Sequence, residues 1–206
     1  YEEGLALVTE RGRAMAAAAA EGEPSGMAAL IGADLDLAET VAADRRRDGG
    51  RLWVANVNAP AQIVLAGSEA DVAWLTANAR SLGIRRAVPL AVAGAFHSPF
   101  MQPAAQRLEA ALEAASFAPP RFPVYANTTA RPTADPVGQL AEQLVQPVQF
   151  VATLENMAAD GISTFVHVGP GDVTAGLVKR TLPDAVVHVV SALDDIAAVA
   201  SDPSVQ

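Results

Sequence analysis

Apolar residues recur along this chain in two ways, spaced at the helical repeat in some stretches and gathered into short runs in others. Over residues 1–20, Leu5, Val8, Gly12 and Met15 share a predicted helical face while Glu2, Glu10 and Arg13 point elsewhere. Arg11 falls at the border of that stripe, where an arginine either snorkels to solvent or reaches a cleft beside the helix. Residues 26–32 predict a short strand, and Asp34 predicts the N-cap of a helix over residues 35–43. The run Arg45-Arg46-Arg47-Asp48-Gly49-Gly50 then reads as a polar turn. Residues 52–57 and 62–67 predict two strands of a hairpin across a turn at Asn58-Ala59-Pro60, and Ser68 caps a helix running to Leu82. A strand follows over residues 87–92.

Between Met27 and Val92 the order is therefore strand, helix, strand, strand, helix, strand. That is the ferredoxin-like split βαβ arrangement, which buries both helices on one face of a sheet through right-handed crossovers. It predicts a small subdomain over residues 26–92, with residues 1–25 and 93–206 belonging to a larger α/β unit. In the second part, helices are expected over residues 101–115, 140–145, 151–159 and from Asp172 to Arg180. Strands are expected over residues 122–127, 163–168 (buried) and 186–190, and residues 201–206 are expected to fray. Strands alternating with helices predict a parallel sheet for this half.

Composition narrows the class. The 206 residues are 51% hydrophobic, enough for a real core, and carry a formal net charge of −9, which argues against wholesale attraction to nucleic acid or an anionic membrane. There is no cysteine, so disulfides, thiolate metal sites and a cysteine nucleophile are excluded together. No apolar run approaches the ~20 residues of a membrane span. A cytoplasmic protein is the expectation. The chain opens without an initiator Met on a helical pattern already under way, so either residues were removed or this is a piece of something longer.

Candidate chemistry centres on the turn Gly94-Ala95-Phe96-His97-Ser98-Pro99, which holds one of only three histidines. A histidine there suits proton transfer by its near-neutral pKa; a lone histidine between Phe96 and Pro99 also fits a packed loop residue. Three other stretches stand out. The amides of residues 55–62, Asn58 among them, sit at the hairpin; Gln143 lies at a helix end before Pro147; and Gly169-Pro170-Gly171-Asp172 forms a strand-to-helix turn without a Walker lysine or GxGxxG spacing. His97, His167 and His188 lack any metal-ligand spacing, and Arg45-Arg46-Arg47 has no aromatic interleaving of the kind that stacks nucleic-acid bases.

Together these blocks resemble the malonyl-CoA:acyl carrier protein transacylases and the acyltransferase domains of polyketide synthases. The blocks, in order, are Thr9-Glu10-Arg11-Gly12, Gly26-Met27-Ala28-Ala29, residues 56–64, Gly94-Ala95-Phe96-His97-Ser98, Gln143 ahead of Pro147-Val148-Gln149-Phe150, and Val168-Gly169-Pro170-Gly171. The resemblance implies part of an α/β-hydrolase-like parallel sheet with an inserted ferredoxin-like (βαββαβ) subdomain. It also implies transfer of a malonyl group from coenzyme A to the phosphopantetheine thiol of an acyl carrier protein through an acyl-serine, in fatty acid or polyketide biosynthesis. Both thioester carriers are then substrates, and no cofactor is expected. By position, His97 matches the general base and Gln143 the residue whose main-chain carbonyl orients it. Arg11 matches the arginine that pairs with the malonyl carboxylate, Asn58 falls in a substrate-binding block, and Phe96 matches a bulky malonyl-selecting residue.

The match stops short of the family's Gly-His-Ser-x-Gly elbow, and no serine here stands in G-x-S-x-G. The expectation is a missing N-terminal segment of the same enzyme that supplies the nucleophile, without which this chain cannot transfer acyl groups. The alternative is a non-catalytic remnant that binds a carrier protein or synthase partner. Arg45-Arg46-Arg47, Arg85-Arg86 and Lys179-Arg180 are the places where an acidic partner could dock.

Overall fold

The computed structural model of the chain describes residues 1–205. Strand β1 (Ser25–Ile31), helix α2 (Leu35–Arg47), strands β2 (Leu52–Ala59) and β3 (Gln62–Ser68), helix α3 (Glu69–Asn78) and strand β4 (Arg86–Pro89) follow the order expected for residues 26–92. The strands lie β4-β1-β3-β2 with every pair antiparallel, and a short strand β5 (Val148–Gln149) adds to β2 in parallel as a fifth member. Alternation decides which face each side chain takes. Ala28 and Leu30 of β1 and Ile63 and Leu65 of β3 meet Ala38 and Val41 of α2 and Val72 and Leu75 of α3, so both helices cover one face. Met27, Val64 and Ala66 point the other way, onto Ala95, Phe96 and Phe100.

The three arginines expected in a polar turn form the last turn of α2 instead. Arginine is a good helix former, and its charge is favoured at a helix C-terminus. Arg45 reaches buried Asp71 at 2.5 Å and lies over the Trp74 ring, and Arg47 pairs with Asp44. Burial raises the Asp71 pKa, but hydrogen bonds from the Ser68 hydroxyl, the Arg51 N–H and Arg45 outweigh it and hold the carboxyl below its ordinary value. Asn58 also lies off its expected place. It sits within β2 at a bulge, and the turn is Pro60-Ala61, with Ala61 in the left-handed region at φ 57°. Helix α3 ends at Asn78 rather than Leu82, and a turn closed by Gly83 at φ 81° leads into Ile84.

Helix α1 (Glu2–Glu21) packs along α4 (Gln102–Glu113) through Leu7, Ala14, Met15 and Ala18, which meet Met101, Ala104, Leu108 and Leu112. The expected stripe is thus corrected: Leu5 is 51% and Val8 68% exposed, while Arg11 stands in the packed row Leu7, Arg11, Ala14, Ala18. An alanine-rich helix offers little contrast between its faces, and close approach to α4 selected the smaller one. The loop carrying His97 is held against this helix at Gly94, where an added Cβ would stand 2.9 Å from the Ala19 Cβ and 3.5 Å from the Ser25 hydroxyl. Gly94→Ala is therefore expected to lower stability by about 1–3 kcal/mol through overpacking. Thermal denaturation checks it, with Gly26→Ala, which meets nothing within 4 Å, as the control.

Residues 122–127 were expected to form a strand, but only an isolated Tyr125–Pro132 bridge is present, with Phe122 and Val124 exposed. Among the described residues no neighbouring strand offers that segment a ladder, and a strand does not form without one. Helix α5 (Pro136–Glu142) starts a turn earlier than expected because Asp135 caps it by accepting from the Gly138 N–H at 3.1 Å, with Pro136 in the first turn. Helix α6 (Phe150–Ala159), strand β6 (Thr164–Val168), helix α7 (Val173–Thr181), strand β7 (Val186–Val190) and an unanticipated helix α8 (Asp195–Ala200) complete the chain. β6 and β7 form a parallel pair, yet Val166 and Val168 are exposed, so the strand expected to be buried is half open. Residues 201–205 form turns that reach back from Ser204 to His188; Gln206 lies outside the described residues. Among the described residues, no helix is long and apolar enough to cross a membrane.

Candidate active site

His97 sits between β4 and a 3-10 turn over Pro99–Met101, half-buried, in the left-handed region at φ 56°. That conformation is uncommon for a side chain larger than glycine and turns the imidazole toward the end of α5. There the last carbonyls of a helix have no partner within it. One of them, the main-chain oxygen of Gln143, lies 2.8 Å from His97 Nδ1. A carbonyl only accepts, so Nδ1 carries the hydrogen and Nε2 keeps its lone pair.

Burial pushes the His97 pKa below the ordinary imidazole value; the main chain at Gln143 and, less, at Gln146 opposes that shift, and the positive charge of Arg11 adds to it. Arg11 is thus close enough for its charge to act on the ring. Its own guanidinium is half-buried, which lowers its pKa, and among the described residues it has no carboxylate partner. A half-buried cation without an acid partner favours an anionic group beside it. Such a site can accept a proton at Nε2 and hold a carboxylate at Arg11.

The other expected residues are brought together unequally. The parallel pairing of β5 with β2 sets Asn56 opposite Val148 and Val57 opposite Gln149, so the amide block that includes Asn58 lies against the segment following Gln143. Phe96 packs between the core under α1 and the core under the sheet. A cleft of about 500 Å³ opens beside His97 and is lined by Trp53, Val54 and Gln146, with Glu39 and Arg46 at its α2 side; Arg11, Asn58 and Phe96 are not among its lining residues. Gly169-Pro170-Gly171 lies apart at the end of β6, two of its residues at positive φ, and leads into α7, which packs on β2. His167 bonds Thr174 and His188 bonds Ser204, so His97 has no second histidine at hand. Among the described residues no group of three acidic or histidine side chains could hold a metal ion. Gln62, the last of the hairpin amides, has a buried side-chain oxygen with no partner in the described structure.

The model of the acyl transferase domain matches this chain over residues 1–200. The chain belongs to that family. Another member, the malonyl CoA-acyl carrier protein transacylase of Bacillus subtilis, is 36% identical over 183 residues, 87% of this chain and 57% of its own length. The solved malonyl CoA-acyl carrier protein transacylase of Clostridium perfringens superposes with a TM-score of 0.90 at 28% identity, over 97% of this chain and 63% of that one. A malonyl-transacylase solved in complex with its type II PKS acyl-carrier protein superposes at 0.86 with 30% identity, over 95% of this chain and 64% of that one. The acyl transferase match thus spans about 60% of its relatives' length. The mixed α/β fold is theirs.

Proposed function

We propose that this chain carries the base and the acyl-carboxylate site of a malonyl-CoA:acyl carrier protein transacylase. His97 takes the proton of a serine hydroxyl as that oxygen attacks the malonyl thioester, coenzyme A leaves as the thiol, and the malonyl group passes to the phosphopantetheine thiol of an acyl carrier protein. The observation that carries this reading is the His97 Nδ1–Gln143 carbonyl bond, which fixes the tautomer a base requires and takes the place of a triad aspartate. Arg11 pairs with the free malonyl carboxylate, a task for which its planar fork is suited. Asn58, at the bulge in β2, and Phe96 are the further substrate-binding residues in this reading.

In this reading the serine comes from a further segment of the enzyme. Two surfaces support that: the exposed Leu5 and Val8 of α1, and the open β6–β7 pair, since parallel strands are ordinarily covered on both faces. The β4-β1-β3-β2 order with both helices on one face supports a ferredoxin-like small subdomain over residues 26–92, inserted into an α/β-hydrolase-like unit that includes residues 1–25 and 93–206.

Incubation with labelled malonyl-CoA followed by intact-mass measurement tests the assignment. This chain alone is expected to take up no malonyl group, and the complete acyltransferase polypeptide to take up one, on a serine outside these residues. Acylation of a serine within the chain overturns the split of roles, and absence of any acyl-enzyme overturns the transfer reading. Arg85 and Arg86, exposed and without a carboxylate partner among the described residues, favour the second reading, docking of an acidic carrier without chemistry. Carrier binding by a complete polypeptide that forms no acyl-enzyme selects it.

A further inference from the structure

His97 cannot hold its left-handed backbone by itself, and the chain on its N-terminal side is fixed in an unusual way. Ala95 is wholly buried, so its N–H and carbonyl must both find partners inside the protein. Neither goes to another backbone group. The N–H donates to the Ser25 hydroxyl at 3.1 Å, and the carbonyl accepts from the Ser98 hydroxyl at 2.5 Å. Ser25 stands at the start of β1, seventy residues away in the chain, while Ser98 reaches back across His97 itself. Two serines thus hold both polar backbone groups of one residue, and Phe96 and His97 are the residues enclosed by the second bond.

We infer that Ser25 and Ser98 are positioning residues that hold His97 in its base-competent geometry. The inference rests on the reading of His97 as the base. Ser98 has no solvent exposure and its hydroxyl is spent on Ala95, so it is not a nucleophile, although it adjoins the base in sequence. Loss of either hydroxyl leaves a buried polar group of Ala95 unsatisfied, and the cheapest relief is for residues 95–97 to turn outward. His97 then relaxes to negative φ and its ring leaves the Gln143 carbonyl. Ser25 adds a second consequence: the loop that carries the base is tied to the first strand of the sheet, so a shift of β1 reaches the imidazole directly.

The test is nitrogen-15 NMR of the imidazoles in the chain and in Ser98→Ala, Ser25→Ala and Ser98→Thr. In both alanine variants the His97 signature is expected to change from the Nδ1–H tautomer to a mixture. Its titration should rise toward that of a free imidazole as burial, the largest cause of its depression, is relieved. His167 and His188 serve as internal references and should not move. Ser98→Thr keeps the hydroxyl and should keep the wild-type signature. In the complete acyltransferase, the alanine variants should lower kcat by ~10- to 100-fold with KM for the malonyl donor unchanged. An unchanged His97 tautomer and titration in both alanine variants overturns the inference. Should Ser98→Ala fail to fold, Ser25→Ala, half-buried at a strand end, decides alone. Failure of the transfer reading appears instead as a missing acyl-enzyme and leaves the imidazole spectra standing.

Discussion

Replacing His97 by alanine is expected to lower malonyl transfer by the complete acyltransferase ~10²–10⁴-fold, the range associated with a positioned general base. The hydrogen on Nδ1 is fixed by the Gln143 carbonyl, so only Nε2 can take the serine proton, and alanine supplies nothing in its place. Burial keeps the ring neutral to lower pH than a free imidazole. The wild-type rate should therefore hold through neutrality and fall in acid, below the ordinary imidazole range, as Nε2 protonates. The fold follows the same sign. An unfolded imidazole binds more protons than the folded one in the window between their pKa values, so stability too declines as pH falls through it. Stopped-flow transfer rates across pH check the first point, and denaturant unfolding over the same range checks the second. A variant that keeps near-normal rate, or keeps the wild-type acid limb, removes His97 from the mechanism.

Arg11→Ala should separate substrates that His97→Ala does not. Loss of one partner of a desolvated charge pair costs ~2–5 kcal/mol, so malonyl transfer should fall by roughly 30-fold to several thousand-fold while acetyl transfer, which has no free carboxylate, changes little. The same geometry couples the two residues. Arg11 depresses the His97 pKa through its charge, so a carboxylate that neutralises Arg11 should raise the His97 titration; acetate-sized neutral acyl groups should not. Kinetics with paired malonyl and acetyl donors, and imidazole titration with and without malonate, provide the readouts. Equal losses for the two acyl groups count against the carboxylate site.

The residue 26–92 unit was legible because its strands are short apolar runs bounded by polar turns and its caps, Asp34 and Ser68, are strong local signals. What failed was non-local. Residues 122–127 have the composition of a strand but no ladder here, and β5 is two residues long, defined only by its pairing with β2. The face of α1 was misread because alanines surround it, and α4 rather than hydrophobic contrast decides which side is buried. At the site, His97, Arg11 and Gln143 were named from their order relative to a family, while their physical relation was invisible in sequence. A positive φ at a histidine carries no compositional mark, and nothing about Ser25 ties it to a loop seventy residues on.

The oxygen that orients His97 belongs to the main chain, with a genetic consequence. Any amino acid at position 143 presents the same carbonyl, so an alanine scan would score Gln143 as dispensable and overlook one of the contacts the site depends on. Sensitivity moves instead to the count of residues between the Asp135 cap and the end of α5. One residue inserted or deleted there rotates the terminal carbonyls by ~100°. This part of the site is therefore inherited as a helix length rather than as a letter.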